Sequence, residues 1–319
     1  MPGRLSLGYR EATLPSRLAR PDPTPLSAGP AATKTNRTSR NPHAHLGSLL
    51  LIAPALVTVS LLFLYPLGYS LVWAFLDETT GGWSLANFIK AFDFYSLDIY
   101  FTVVIVTLAT LLIGVFSIAI GGYLTLGEHR VAVAALRWLY RWPLFIPFVV
   151  AGQLMRTFLA KNGMMNNMLV GAEILDPMST TSFLDWRGIV ITFVWKQTPF
   201  AALLVAGAMA SLDRSTMEAA RNLGAGRVRV LLEIVVPQIA TTLMVALILS
   251  YVVMMSVLSV PLMINAQTPT MLTVDMAWRI NSYGDYPVAN ALGFISYAMT
   301  AVIAWLYLRQ GIREGGKPT

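Results

Sequence analysis

Three histidines, no cysteines and no carboxylate inside any long apolar block leave this chain little with which to do covalent chemistry. His43 and His45 fall in a polar N-terminal stretch, and His129 sits beside Arg130 in a short polar break, so all three read as solvated residues and no metal site is expected. Without cysteine there is no disulfide framework, thiolate zinc site or cysteine nucleophile. No GxxxxGK[ST] phosphate loop, HExxH pair, GxSxG elbow or paired-carboxylate cluster occurs. No catalytic residue is expected, and acid–base catalysis within the apolar blocks has no groups to run on. Transporter, channel and scaffold remain as classes.

Two cations do lie within apolar blocks, Arg156 and Lys196. An ionisable residue at membrane depth is costly and marks a functional position by default. Lys196 falls roughly 12 Å into its block at 1.5 Å per residue, too deep for its amine to snorkel out easily, whereas Arg156 is near a block end. Both are candidates for lining a solute pathway, with Gln153, Gln197 and Asn290 beside them; polar residues in spans also serve simply to pair helices. Cations without carboxylates favour a neutral, hydroxyl-rich or anionic solute over a polyamine.

A third set of chemically capable residues is compact. Ser215 to Pro237 reads STMEAARNLGAGRVRVLLEIVVP and carries Glu218, Arg221, Arg227, Arg229 and Glu233 between two apolar runs. Ser215 followed by Glu218 fits a capping box. Met217, Ala219 and Ala220 continue a short helix, Gly224 supplies the left-handed residue that ends it, and Val228 to Val236 begin a second. Pro237 stands at a helix start, where proline is tolerated. The segment is a helix, a glycine turn and a second helix.

The elements that must hold these residues are apolar. The chain is 55% hydrophobic and 12% charged, against about 25% charged in soluble domains. Six blocks are long enough to span a bilayer: Leu46–Leu76, Tyr100–Leu126, about Ala135–Leu159, Gly188–Leu212, Ile239–Ile264 and Tyr286–Leu308. Pro54 and Pro66 kink the first, and Pro143 and Pro147 bend the third, the least clean. Gly114, Gly121 and Gly122 are small packing positions. With the N-terminus inside, seventeen Lys and Arg fall on the inner side and four outside, so both termini and the 213–237 loop are expected in the cytoplasm. The net charge of +7 then reflects topology, with no nucleic-acid partner. Residues 1–45 read as a disordered basic tail, too long and proline-rich for a secretory signal. The expected fold is an all-α membrane protein with six transmembrane helices, a permease domain over 46–312 and a short tail over 313–319.

Glu218-Ala219-Ala220, three residues, Gly224, nine residues, Ile234, one residue, Val236-Pro237 resembles the EAA signature of the membrane-spanning subunits of binding-protein-dependent ABC importers, with Val236 where that pattern usually has Leu. The phrases around Leu64–Leu71, Asn162 and Val194 resemble the same family more loosely. The resemblance implies a permease subunit whose signature loop is a coupling helix seated in a groove of a separate ATPase. Met217 to Leu223 would insert there, Glu218 would make polar contacts and Gly224 would permit the close turn; Met217, Glu218, Ala219, Ala220, Leu223, Gly224, Ile234 and Pro237 form the implied coupling set. It also implies a second permease subunit, two ATPase copies that bind ATP and Mg, an extracytoplasmic solute-binding protein and residence in the bacterial inner membrane. No cofactor is implied on this chain. The family's carbohydrate or polyol type and its polyamine type share the signature; an organic-anion importer, an ion-coupled secondary transporter and a non-transporting scaffold stay open as alternatives.

Overall fold

The computed structural model describes residues 52–77 and 81–315. The expected tail over 1–45 and the last residues of the 313–319 tail lie outside the described residues. Residues 1–57 and 58–319 form two units; of the first only a helical run from Ile52 is described, and the second is the helical bundle.

Every regular element described in the bundle is helical apart from one isolated bridge, Leu76 to Trp83. After a π-helical turn at Ser60–Leu64 come α1 (Tyr65–Phe75), α2 (Ala86–Leu126), α3 (Arg130–Leu139), α4 (Phe148–Leu159) and α5 (Met164–Gly171). Then follow α6 (Trp186–Ala210), α7 (Arg214–Asn222), α8 (Arg227–Val230), α9 (Ala240–Ser256), α10 (Ser259–Ile264), α11 (Leu272–Trp278) and α12 (Tyr286–Gly315). Among the described residues four helices are long and apolar enough to cross a membrane, and up to six if each of two bent pairs is one span.

The third and fifth apolar blocks are not single helices. Proline cannot donate to the helical ladder, and Pro143 and Pro147 bracket a 3₁₀ turn at Trp142–Phe145 between α3 and α4. The chain bends there by 108°. The fifth block is bent by 78° at its start, near Ile239, and interrupted again between α9 and α10. The expected second helix, Val228–Val236, is likewise divided: α8 passes into a π turn at Leu231–Val235 and a short helix Val236–Gln238 with Pro237 in its first turn.

The second block begins earlier than its apolar run does. α2 starts at Ala86 and so includes Lys90, Asp93 and Asp98. The expectation that the spanning helices hold no carboxylate is therefore corrected at Asp98, which is buried. Its carboxylate accepts the Thr270 backbone N–H at 2.7 Å, while Thr102 Oγ1 accepts that of Leu272 at 3.0 Å. Leu272 opens α11 with an orphan donor and Thr270 lies just before its N-cap Met271, so both contacts hold the start of that helix. Asp98 is committed to a helix end, which accounts for a charge on this helix without a proton relay.

Hydrocarbon is as apolar as a leucine side chain, so helices in a bilayer associate by close packing more than by expulsion from water. The largest core joins α2 (Ile105, Val106, Ala109, Ile113), α6 (Ile189, Val190, Phe193, Ala201) and α9 (Ala246, Met254, Met255). A Cβ on Gly121 would stand 3.0 Å from Met209 and Val205, which is what permits α2 to lie against α6. A Cβ on Gly152 would come within 3.3–3.4 Å of Ser259 O and Val260 Cα, so α4 and α10 touch backbone to backbone.

Candidate functional site

The short helix α7 follows α6 after a brief break. Its N-cap is Asp213, whose carboxylate accepts the Ser215 N–H at 2.9 Å and the Ser215 hydroxyl at 2.6 Å. The expected Ser215–Glu218 capping box is thus corrected: Ser215 lies inside the helix and its hydroxyl donates to the true cap. Asp213 answers an orphan backbone donor, and the Ser215 hydroxyl, followed by its N–H, holds the Asp213 carboxyl below the usual carboxylate range. Glu218 is exposed, with no capping duty and no ion-pair partner among the described residues.

At the other end Gly224 adopts φ +86°. Its N–H donates to Arg221 O at 2.9 Å and the Ala225 N–H reaches back to Ala220 O at 3.0 Å. This pair of bonds is the Schellman motif, and Ala220 and Ala225 provide its accompanying apolar contact by packing on the same cluster. Nothing lies within 4 Å of where a Gly224 Cβ would be; the backbone angle alone demands glycine.

Met217 is only 8% exposed and packs with Val205, Met209, Val230, Val235 and Ile239. The expectation that it inserts into a partner is corrected, because it fastens α7 to the bundle. Leu223 is 89% exposed and projects from the turn, and Ala219 is exposed beside it. Ile234 is half-buried and Pro237 exposed. Ion pairs brace the segment: Arg227 to Glu128 just past the end of α2, and Arg229 to Glu233 at 2.9 Å. α7 is therefore a preformed helix, with Glu218, Ala219 and Leu223 displayed and Met217 as its anchor.

The five pathway candidates are not gathered in one place. Lys196, 6% exposed, donates to Leu144 O at 3.3 Å and lies 5.0 Å from the Phe148 ring centre. Leu144 belongs to the 3₁₀ turn at the Pro143–Pro147 break, so Lys196 braces the broken third block. Gln197 is buried beside it. Asn290 accepts the Ser70 hydroxyl at 2.7 Å and joins α12 to α1. Only Gln153 and Arg156 stand on an exposed face, three residues apart on α4; Arg156 donates to Met263 O at 2.8 Å across to α10. Sequence reading missed Asp213 as cap, although an aspartate just before a helix start is a common cap signal. It also missed the arginines of α3 and α7 as neighbours, for which no local signal exists.

The structure thus combines membrane-length helices with a short capped helix displayed on a loop. Residues 117–309 match the family described as binding-protein-dependent transport system inner membrane component, and the chain belongs to that family. It is a multi-pass permease subunit of an ABC importer of the bacterial inner membrane, and it works with a solute-binding protein. It is 26% identical over 284 residues to the sulfoquinovosyl glycerol transport system permease protein SmoG of Agrobacterium fabrum, covering 82% of this chain and 89% of that one. To the sn-glycerol-3-phosphate transport system permease protein UgpA of Escherichia coli it is 30% identical over 213 residues, 60% of this chain and 67% of that one. Its fold resembles a chain of the bacterial alginate ABC transporter in complex with an alginate pentasaccharide-bound periplasmic protein, with TM-score 0.72 at 22% identity over 87% of this chain and 99% of that one.

Proposed function

We propose that this chain forms half of the translocation pathway for a small hydroxylated solute, a carbohydrate or polyol, and is driven by a separate ATPase that grips α7. The observation that carries the coupling half is the construction of α7: capped by Asp213, closed by Gly224, anchored by Met217, with Glu218 and Leu223 left free for a partner. Six spans then cross the membrane, with both termini and α7 in the cytoplasm. The excess of Lys and Arg on the segments assigned to that side supports this orientation. A second, different permease subunit completes the pathway, and two ATPase subunits hold the ATP and Mg.

The names of the relatives, a sulfo-sugar glycerol and a glycerol phosphate, support a hydroxylated solute that carries an acidic group. The exposed Gln153 and Arg156 on α4 fit such a solute, since a guanidinium pairs in planar fashion with sulfonate, phosphate or carboxylate. Lys196 is assigned instead to bracing the turn at Leu144, whose carbonyl it reaches at 3.3 Å. Purified importer in proteoliposomes tests the proposal: Glu218→Lys and Gly224→Val should each sharply reduce ATP-driven uptake while the chain still inserts and assembles. ATP-driven uptake at the wild-type rate in both variants would overturn the coupling assignment, and uptake that collapses with an ionophore in place of ATP depletion would overturn the ABC mechanism.

A further inference from the structure

Two cavities lie end to end along one seam of the bundle. The first, about 560 Å³, is framed by the last turns of α2 and α6 together with α3 and α7. Arg137, Arg141, Arg214 and Arg221 line it, and Glu218 is the one carboxylate among its lining residues. None of these arginines is ion-paired; the pairs among the described residues involve Arg187, Arg227, Arg229 and Arg279. Arg141 leans on Tyr140, its Nε donating to the hydroxyl at 3.2 Å, and Arg221 reaches only the Leu126 carbonyl at 3.4 Å. Four guanidiniums facing one cleft repel one another, and an anion within it would remove that repulsion.

The second cavity, about 650 Å³, is apolar and runs up the same two long helices. Leu112, Phe116 and Ile120 of α2 line it at successive i+4 positions, and the next residue of that stripe, Leu124, lines the cationic cavity. On α6 the apolar cavity takes Val190 to Pro199 and the cationic one begins at Leu203 and continues to Leu212 beyond the helix end. Tyr140 walls both. From Leu112 to Leu124 the helix rises about 18 Å, close to the ~15 Å of one leaflet's hydrocarbon. Beside the junction, α3 exposes Val131, Trp138 and Leu139, and Trp138 packs edge-on against Trp142 at 4.7 Å. An amphipathic helix carrying tryptophan is what the headgroup level of a bilayer selects.

We propose that this seam holds one anionic phospholipid of the inner leaflet, its phosphate among Arg137, Arg141, Arg214 and Arg221 and an acyl chain along Leu112, Phe116 and Ile120. An acidic loop of an ATPase would use the cationic half and leave the groove empty. A helix of a second permease would fill the groove and leave four arginines unanswered. A phospholipid answers both halves, and basic pockets between helices on the cytoplasmic side are known headgroup sites. Because Arg214 and Arg221 belong to α7, the headgroup would tie that helix to α3. Any consequence for coupling rests on α7 being the ATPase contact; the binding itself does not.

The test uses the intact importer, extracted from membranes containing phosphatidylethanolamine and phosphatidylglycerol, with retained lipid counted by mass spectrometry. Wild type should retain phosphatidylglycerol in preference to phosphatidylethanolamine. The Arg137→Gln, Arg214→Gln pair should lose it by roughly tenfold, the corresponding Lys pair should recover part, and Ile120→Trp should lose it with every charge in place. Unfolding midpoints guard against misfolding; if Ile120→Trp lowers its own, Ile191→Trp on the exposed wall of the groove replaces it. Equal phosphatidylglycerol retention in all variants would overturn the site. So would inorganic phosphate displacing the lipid while the groove variants retain it, which would mark an anion site without a tail. Unchanged lipid with loss of co-purifying ATPase in the Gln pair, or of the second permease in the groove variants, would assign the seam to those partners instead.

Discussion

Substituting Gly224 separates the geometry of the turn from the chemistry of the surface. Its φ of +86° lies in the left-handed region, which costs an ordinary L-residue about 1–2 kcal/mol. No steric term adds to this, because nothing lies within 4 Å of the position a Cβ would take. The whole penalty falls on the two bonds that close α7, Gly224 N–H to Arg221 O and Ala225 N–H to Ala220 O. A cost of that size reduces the population of the closed turn about 5- to 30-fold relative to frayed alternatives. Asparagine tolerates the left-handed region better than alanine does, and a β-branched residue tolerates it worst. Solute-stimulated ATP hydrolysis and ATP-driven uptake in proteoliposomes should therefore fall in the order Gly, Asn, Ala, Val. The unfolding midpoint should barely change, since the core under Met217 is untouched. A loss that follows side-chain size or polarity, with Asn as poor as Val, would refute the backbone argument and make Gly224 a contact surface.

Glu218→Gln should weaken coupling without destabilising α7, because capping belongs to Asp213; a matching loss of helix protection in hydrogen exchange would return Glu218 to a structural role. Asp213→Ala should show the opposite pattern, frayed exchange at Ser215 with Glu218 intact, and since donors hold the Asp213 carboxyl low, its cap should persist at neutral and mildly acidic pH and fail only as pH falls through that lowered value. Lys196→Met should lower the unfolding midpoint and leave the solute KM unchanged, whereas Arg156→Gln, which gives up its bond to Met263 O, should lower the midpoint only slightly and raise KM severalfold for an acidic solute; a raised KM for Lys196→Met with none for Arg156→Gln would restore Lys196 to the pathway. Asp275 lies on α11, between the fifth and sixth spans, and burial, then the neighbouring Asp98, push its carboxyl up to about 7 against the pull of Arg279. The fold therefore keeps this proton where the unfolded chain has released it, and stability falls as pH rises from about 4 to 7. Asp275→Asn should raise the unfolding temperature at pH 8 and change it little at pH 4; an equal shift at both would show that titration is not the cause.

What the sequence disclosed depended on how local the cause was. The Glu218-to-Gly224 spacing was legible because a helix stop needing positive φ is a backbone property that one glycine announces. The cap was misplaced by two residues because Asp213 and Ser215 are both cap formers, and only the hydrogen-bond geometry shows that one serves the other. The start of α2 was missed because Asp98 looks like a loop residue until the N–H of Thr270, distant in sequence, is brought to it. Lys196 was read as a pathway candidate from its place in an apolar block, yet its partner is Leu144 O, in the turn beside the prolines of another block.

These last cases share one cause. A helix break frees backbone donors and acceptors, and this chain answers several with polar side chains, among them Lys196, which sequence reading marks as functional. Asp98 and Thr102 answer the start of α11, Lys196 the turn before α4, and Asn87 the carbonyls of Ala74 and Leu76 at the end of α1. The breaks are themselves written in the sequence as prolines, at Pro143 and Pro147 most clearly. Depth in the membrane is therefore a poor criterion for a solute-contacting residue when a proline break lies within reach of the same side chain. Exposure on a face that the chain leaves unpacked is the better one, and by it Gln153 and Arg156 on α4 are the residues to carry into transport experiments.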